Sequence, residues 1–351
     1  ADWYLVEGRR EDRDGADLER FLAMPEYELN NLFYVKTSRA GQSGAVEIDE
    51  EILAILTALL RKSQSPANSI WQVQSLYQQT REPRLFGVLA EGLQGHSPGG
   101  VYPVLENIRY LIQEIQDEAS VDAAAAAIEG ARVSAKTTVD RRALDLLLVA
   151  AERRAAELIN QPGPHGKKAL AALARAEKGA WQDGERRLMA GFLAGLGVIS
   201  WEELAAAQRR FLEALVDGET PGGEDHLVIA SHLAVLRWSY GTQAAAIKGL
   251  RAAVDAYLAA RGGALSTAQN SVVETLIGYM EILGQHRDAE ALLGHIEERA
   301  ATAGQRWWAR NRALGVLVHA LQVGGTVSLG TGTVLYQALR ERLHVELASQ
   351  P

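Results

Sequence analysis

Four helix-end signatures recur along the second half of this chain at nearly constant spacing. They are Leu196-Gly197, Tyr240-Gly241, Leu283-Gly284 and Val323-Gly324, at intervals of 44, 43 and 40 residues. A fixed period of this size belongs to repeat architectures, in which each supersecondary unit buries its apolar face only against its neighbours. Each Gly closes a segment of helical apolar period, where a helix C-terminus favours a residue free to adopt φ > 0. The expected units are helical hairpins at about 184–217, 223–261, 265–303 and 305–348. Helix starts agree with these stops: Ser200-Trp201-Glu202-Glu203 and Ser266-Thr267-Ala268-Gln269 both fit the Ser-x-x-Glu/Gln capping box.

The remainder of the chain also reads as helix. Ala and Leu dominate while Val, Ile, Phe and Tyr are scarcer, and helix propensity summed over long windows follows that balance. Ile48, Ile52, Leu53, Ile55, Leu56, Leu59 and Leu60 return to one face at spacings of three and four. Pro66, Pro83 and Pro98 suit first helical turns and mark starts of short successive helices. Further stripes run from Leu105 to Ile115 and from Leu144 to Ile159. The first 45 residues differ: Trp3-Tyr4-Leu5-Val6 is strand-like, Met24-Pro25 and Ser38 to Gly44 read as loop, and an irregular arm or cap is expected. Asn160-Gln161-Pro162-Gly163-Pro164-His165-Gly166 places two Pro and two Gly within five residues, so the boundary between halves is expected there. The organisation read from sequence is thus an arm over 1–45, a helical region over 46–160 and a helical-repeat region over 167–351. A chain of 351 residues exceeds the single-core limit of about 250–300, which a division or an elongated array accommodates.

Tyr279-Met280-Glu281-Ile282-Leu283-Gly284-Gln285-His286-Arg287-Asp288-Ala289 resembles the central turn of a tetratricopeptide repeat, where an aromatic precedes a Gly and a small Ala follows five residues later. Gly241 and Ala246 repeat that spacing, whereas Gly197 is followed at five residues by Glu202. The Tyr-to-Gly interval is one residue too long for that family. The period near 43 exceeds the family's length of about 34 and lies closer to HEAT and armadillo repeats. The likeness covers about the last 170 residues. It implies an all-α fold of stacked antiparallel helical hairpins, a TPR-like or HEAT-like α-solenoid that binds other proteins on a concave face.

Charge and composition exclude several classes of function. A net charge of −8 disfavours nucleic-acid binding, which depends on basic surface to release counterions from phosphates. The absence of Cys removes disulfides, thiolate metal sites and Cys nucleophiles. The chain begins Ala1-Asp2-Trp3 without an initiator Met, as after removal of a signal peptide or other trimming, and export is the expectation. From Ala313 to Leu339 no Asp, Glu, Lys or Arg occurs, but His319, Gln322 and the Gly324-Gly325 pair interrupt the stretch. Two buried helix ends around a loop are expected there rather than a membrane span.

No motif specifies a reaction or a cofactor. Asp12-Arg13-Asp14-Gly15-Ala16-Asp17-Leu18-Glu19 gathers carboxylates around a Gly, yet the spacing does not fit an EF-hand loop, and a solvated turn is expected. Gly325-Thr326-Val327-Ser328-Leu329-Gly330-Thr331-Gly332 and Gly163-Pro164-His165-Gly166-Lys167-Lys168 lack the residues of a phosphate loop and read as connectors. The His pairs 226/232 and 286/295 lack the i, i+4 spacing of helix-borne metal ligands, and no metal site is expected. Glu202-Glu203 and Glu297-Glu298 read as solvated faces opposite Arg rather than acid–base pairs.

One cluster does stand out: Arg306-Trp307-Trp308-Ala309-Arg310-Asn311-Arg312 combines the residue types that anchor protein interfaces. Arg306, Trp307, Trp308, Arg310 and Arg312 are therefore the candidate partner-binding residues. The competing reading is an inter-repeat seam with Arg stems lying over the rings. The expectation is a non-enzymatic scaffold, adaptor or accessory subunit of a larger assembly, without cofactor. Two alternatives stay open. About a dozen helices could close into an (α/α)6 toroid acting on carbohydrate, although an aromatic content of 6% speaks against a sugar site. A regulator of TPR type could instead bind a peptide or small ligand in a groove lined by Asn270, Gln243 and Arg310.

Overall fold

A computed structural model describes residues 16–42, 48–62, 66–92, 98–161, 163–261 and 265–323. The chain divides into two compact units, 1–208 and 209–351. Every regular element among the described residues is an α-helix. Within each unit most helix contacts join helices one or two apart in chain order, as in an α-solenoid.

The first unit opens with α1 (Ala16–Ala23) and α2 (Glu26–Gln42), both packed on α3 (Glu50–Lys62). The described part of the expected irregular arm is therefore helical, and helix continues through Ser38 to Gln42 where the sequence suggested a loop. The reason is tertiary: Phe21 and Leu29 are buried with Ile55, Ala58 and Leu59, and Leu32 and Phe33 pack on the same cluster. Burying such side chains contributes about 1.5–3 kcal/mol each, which outweighs the weak helix propensity of the last turn of α2. Residues 1–15 lie outside the described residues, and with them the strand-like Trp3 to Val6.

Prolines start helices as their fixed φ requires. α4 (Pro66–Thr80) and α6 (Pro98–Glu114) begin on Pro, and α5 (Arg84–Gly92) begins directly after Pro83. α7 (Glu118–Ser134) is capped by Asp117, whose carboxylate accepts from Ser120 N–H, and α8 (Thr138–Leu158) by Thr137, which accepts from Asp140 N–H. α9 (Gly163–Ala176), α10 (Glu185–Gly195) and α11 (Glu202–Asp217) follow. One expectation is corrected here. Gly163 to Lys168 is the first turn and a half of α9 rather than a connector, with Pro164 at the position a helix start tolerates. α10 packs on α6 and α8, and Gln208 of α11 donates to Leu193 C=O of α10 at 2.5 Å.

The second unit holds α12 (Glu224–Ser239), α13 (Gln243–Arg261), α14 (Thr267–Ile282), α15 (His286–Arg299) and α16 (Ala303–Val323). Three of the four repeat-setting glycines do what their position predicts: Gly197, Gly241 and Gly284 have φ of +70°, +77° and +71°, while Gly324 lies outside the described residues. After α12 and α14 the turn is a Schellman motif. Thr242 N–H donates to Arg237 C=O, and Gln285 N–H to Met280 C=O, in each case five residues back. The capping box at Ser266 forms, with Gln269 N–H donating to the Ser266 hydroxyl and Ser266 N–H to the Gln269 side chain. The core is continuous from Leu227 to Val316, with Ala246 and Ala289, the small residues following the turns, fully buried in it.

Candidate functional site

On α16 the two readings of the Arg-Trp cluster separate residue by residue. Gln305, Ala309, Ala313, Val316, Leu317 and Ala320 form its buried face, and the small alanines let the helix approach the core closely. Trp307 lies on the opposite side and is 67% exposed. At 3.6 residues per turn, half-buried Leu314 and exposed Val318 return to the side of Trp307, giving an outward apolar stripe. Trp308 turns inward and packs against the core.

The arginines of the cluster divide in the same way. Arg310 donates to Glu297 of α15 at 2.6 Å. Arg312 donates to two carboxylates of α14, Glu274 at 2.6 Å and Glu281 at 2.6 and 3.0 Å. The hydrogen bonds from Arg312 outweigh burial and hold the Glu281 carboxyl below its ordinary value, and the same bonds push the guanidinium up. Only Arg306 and Trp307 of the five candidates are exposed. Trp308, Arg310 and Arg312 are the packing seam, and they fix the helix that presents the other two.

The second unit also has a cleft of about 280 Å³ lined by Leu233, Ala246, Leu250 and, at its polar edge, Glu213 and Arg237, paired at 2.7 Å. Its volume lies at the small end of ligand pockets. Its lining includes none of Asn270, Gln243 and Arg310, the residues of the expected peptide groove. Trp238 is stacked face to face on Tyr279, centroids 4.0 Å apart, joining α12 to α14.

In the first unit the informative feature is an ionic interior along α8. Asp145 accepts from Arg132 of α7 at 2.6 Å and from Arg175 of α9 at 2.7 Å. Arg142 and Glu185, both shut from solvent, form an ion pair. Two turns beyond Asp145, Glu152 meets His165, the third residue of α9. The His165 ring is almost fully buried, with Nδ1 2.8 Å from Glu152 and Nε2 3.1 Å from Glu118, while Asp122 stands 3.9 Å from Nδ1 and Lys168 3.6 Å from Glu152. Burial disfavours the imidazolium, but the hydrogen bonds to Glu152 and Glu118 and the charges of Glu152 and Asp122 outweigh it, so the His165 pKa is raised. Glu118, Asp122 and His165 are also the group among the described residues whose ligand atoms all lie within 4.8 Å of one another.

Sequence reasoning missed this cluster because its members come from three helices and no two share a recognised motif. The available signal was Glu118 and Asp122, one helical turn apart on α7. His286 contacts His319 of α16, ring nitrogens 3.1 Å apart. The Gly325 to Gly332 loop lies outside the described residues, as does the first half of the Asp12 to Glu19 stretch, whose second half, from Ala16, is in α1. Among the described residues no helix is long and apolar enough to cross a membrane.

No protein-family model matches the chain, and no curated protein matches it. Among solved structures, one described as "The hypoxic regulator of sterol synthesis Nro1 is a nuclear import adaptor" is similar over 92% of this chain and 97% of that one, at 10% identity and a TM-score of 0.29. A likeness of that degree bears on neither activity nor partner.

Proposed function

We propose that this chain is a non-enzymatic helical-repeat scaffold or adaptor that meets a protein partner through the outward face of α16. The observation that carries the reading is Trp307, a large aromatic left 67% exposed on a helix that Trp308, Arg310 and Arg312 hold in place. Interface energy concentrates in such Trp and Arg anchors when they enter a desolvated pocket on the partner. An exposed Trp on a rigid helix also loses little side-chain entropy on binding. Arg306 supplies a cation beside the ring, so the matching surface is an apolar pocket with a carboxylate at its rim.

The test is affinity capture by the full chain from its source cells, with wild type compared against Trp307→Ala and Arg306→Ala. Hot-spot behaviour predicts a loss of about 2 kcal/mol or more for Trp307→Ala, roughly thirtyfold in affinity, and a smaller loss for Arg306→Ala. Trp71→Ala, at an equally exposed Trp of the first unit, is expected to leave capture unchanged. Capture insensitive to Trp307→Ala, or lost on Trp71→Ala alone, would refute the assignment to α16.

A further inference from the structure

We propose that Glu118, Asp122 and His165 form a binding site for a divalent transition-metal ion of the zinc class, with Glu152 as the residue that orients the histidine. A neutral imidazole carries one N–H and one lone pair. Glu152 is buried beside Nδ1 at 2.8 Å and is placed to take its N–H, so Nε2, 3.1 Å from an oxygen of Glu118, is the nitrogen that can meet an ion. Without an ion the protonated ring donates to both carboxylates. A metal ion that displaces the Nε2 proton would be shared by Glu118, Asp122 and His165.

The geometry suits such an ion. Zn–N and Zn–O bonds of about 2.0–2.2 Å place tetrahedral ligands about 3.4 Å apart. The three ligand atoms stand within 4.8 Å of one another, and Asp122, 3.9 Å from Nδ1, would turn toward Nε2 to complete the set. Glu118 and Asp122 are about half exposed, and solvent therefore has access for entry and for a water as the remaining ligand. An imidazole with two carboxylates favours zinc, cobalt, iron or manganese over calcium or magnesium. A buried carboxylate on the far ring nitrogen is the recurrent way proteins fix the tautomer and plane of a metal-binding histidine. Lys168 stands 3.6 Å from the other oxygen of Glu152. The ion would clamp the start of α7 to the start of α9, two elements otherwise joined through α8.

The experiment is titration of the full chain with Co²⁺, read as the visible absorption of cobalt in a low-symmetry nitrogen–oxygen site and followed by competition with Zn²⁺. The expected result is a saturable band at one equivalent that Zn²⁺ abolishes. E118Q combined with D122N alters exposed side chains only, is expected to retain the wild-type far-UV dichroism, and should remove the band. H165Q should remove it as well, and E152Q should weaken cobalt affinity by about 10–100-fold. Absence of a saturable band in the wild type, or its survival in folded E118Q/D122N, would overturn the proposal. Loss of the band in H286N alone would do the same, by placing the ion at the His286–His319 pair.

Discussion

Arg142 shows how an ionic group can be structural without being catalytic. Its Nε donates to Ala176 C=O at 2.8 Å, its Nη2 to the carbonyls of Lys178 and Ala180, and its Nη1 to Glu185, while the guanidinium lies 3.8 Å over the Trp181 ring. One side chain of α8 thereby gathers the link between α9 and α10, a stretch with few apolar residues of its own. Replacing a buried pair by apolar residues can be neutral, but removing one partner leaves the other charge uncompensated. Arg142→Ala is expected to cost about 3–5 kcal/mol, because Glu185 is fully buried. Denaturant unfolding followed by dichroism measures it, and a cost below about 1 kcal/mol would mean that Glu185 finds water or protonates instead. None of this was legible in the sequence, where Arg142 and Glu185 stand 43 residues apart.

Elements were far more legible than the contacts between them. Helix ends are fixed by local chemistry, and the sequence carries that chemistry openly in Pro66, Pro98, Ser266, Gly241 and Gly284. Where tertiary packing overrides a local signal, the reading failed: α2 runs through Ser38 to Gln42 because Leu29, Leu32 and Phe33 bind it to α3. α9 failed for a related reason. Its Gly-Pro start looks like a break, yet Gly166 has a packing role, since a Cβ there would come within 2.3–2.8 Å of the Trp201 ring. Gly166→Ala is expected to destabilise the first unit by about 1–3 kcal/mol through overpacking. In a Trp201→Ala background that cost should fall to a few tenths of a kcal/mol or reverse, since the helix would gain an Ala for a Gly. Unfolding of the four proteins of the cycle reads the coupling; additive costs would show that the ring already moves aside.

At the scale of the whole molecule, the sequence conveyed the all-helical fold. α11 runs without interruption from Glu202 to Asp217 across the division between the units, so no Pro, Gly or change of composition marks it. The proposed surface was half legible. The cluster at 306–312 was visible as composition, but which of its members turn outward depends on the phase of α16 against α14 and α15. That phase leaves Trp307 to solvent. The central claim is that this ring meets another polypeptide, and it is tested most directly by replacing Trp307 with a photoreactive phenylalanine derivative in the full chain and irradiating it in its source cells. The account predicts one dominant covalent adduct to a different protein, not formed when the same group replaces Val133, an equally outward residue of α7. Adducts confined to residues 324–351 of the same chain, or no intermolecular adduct at all, would contradict it.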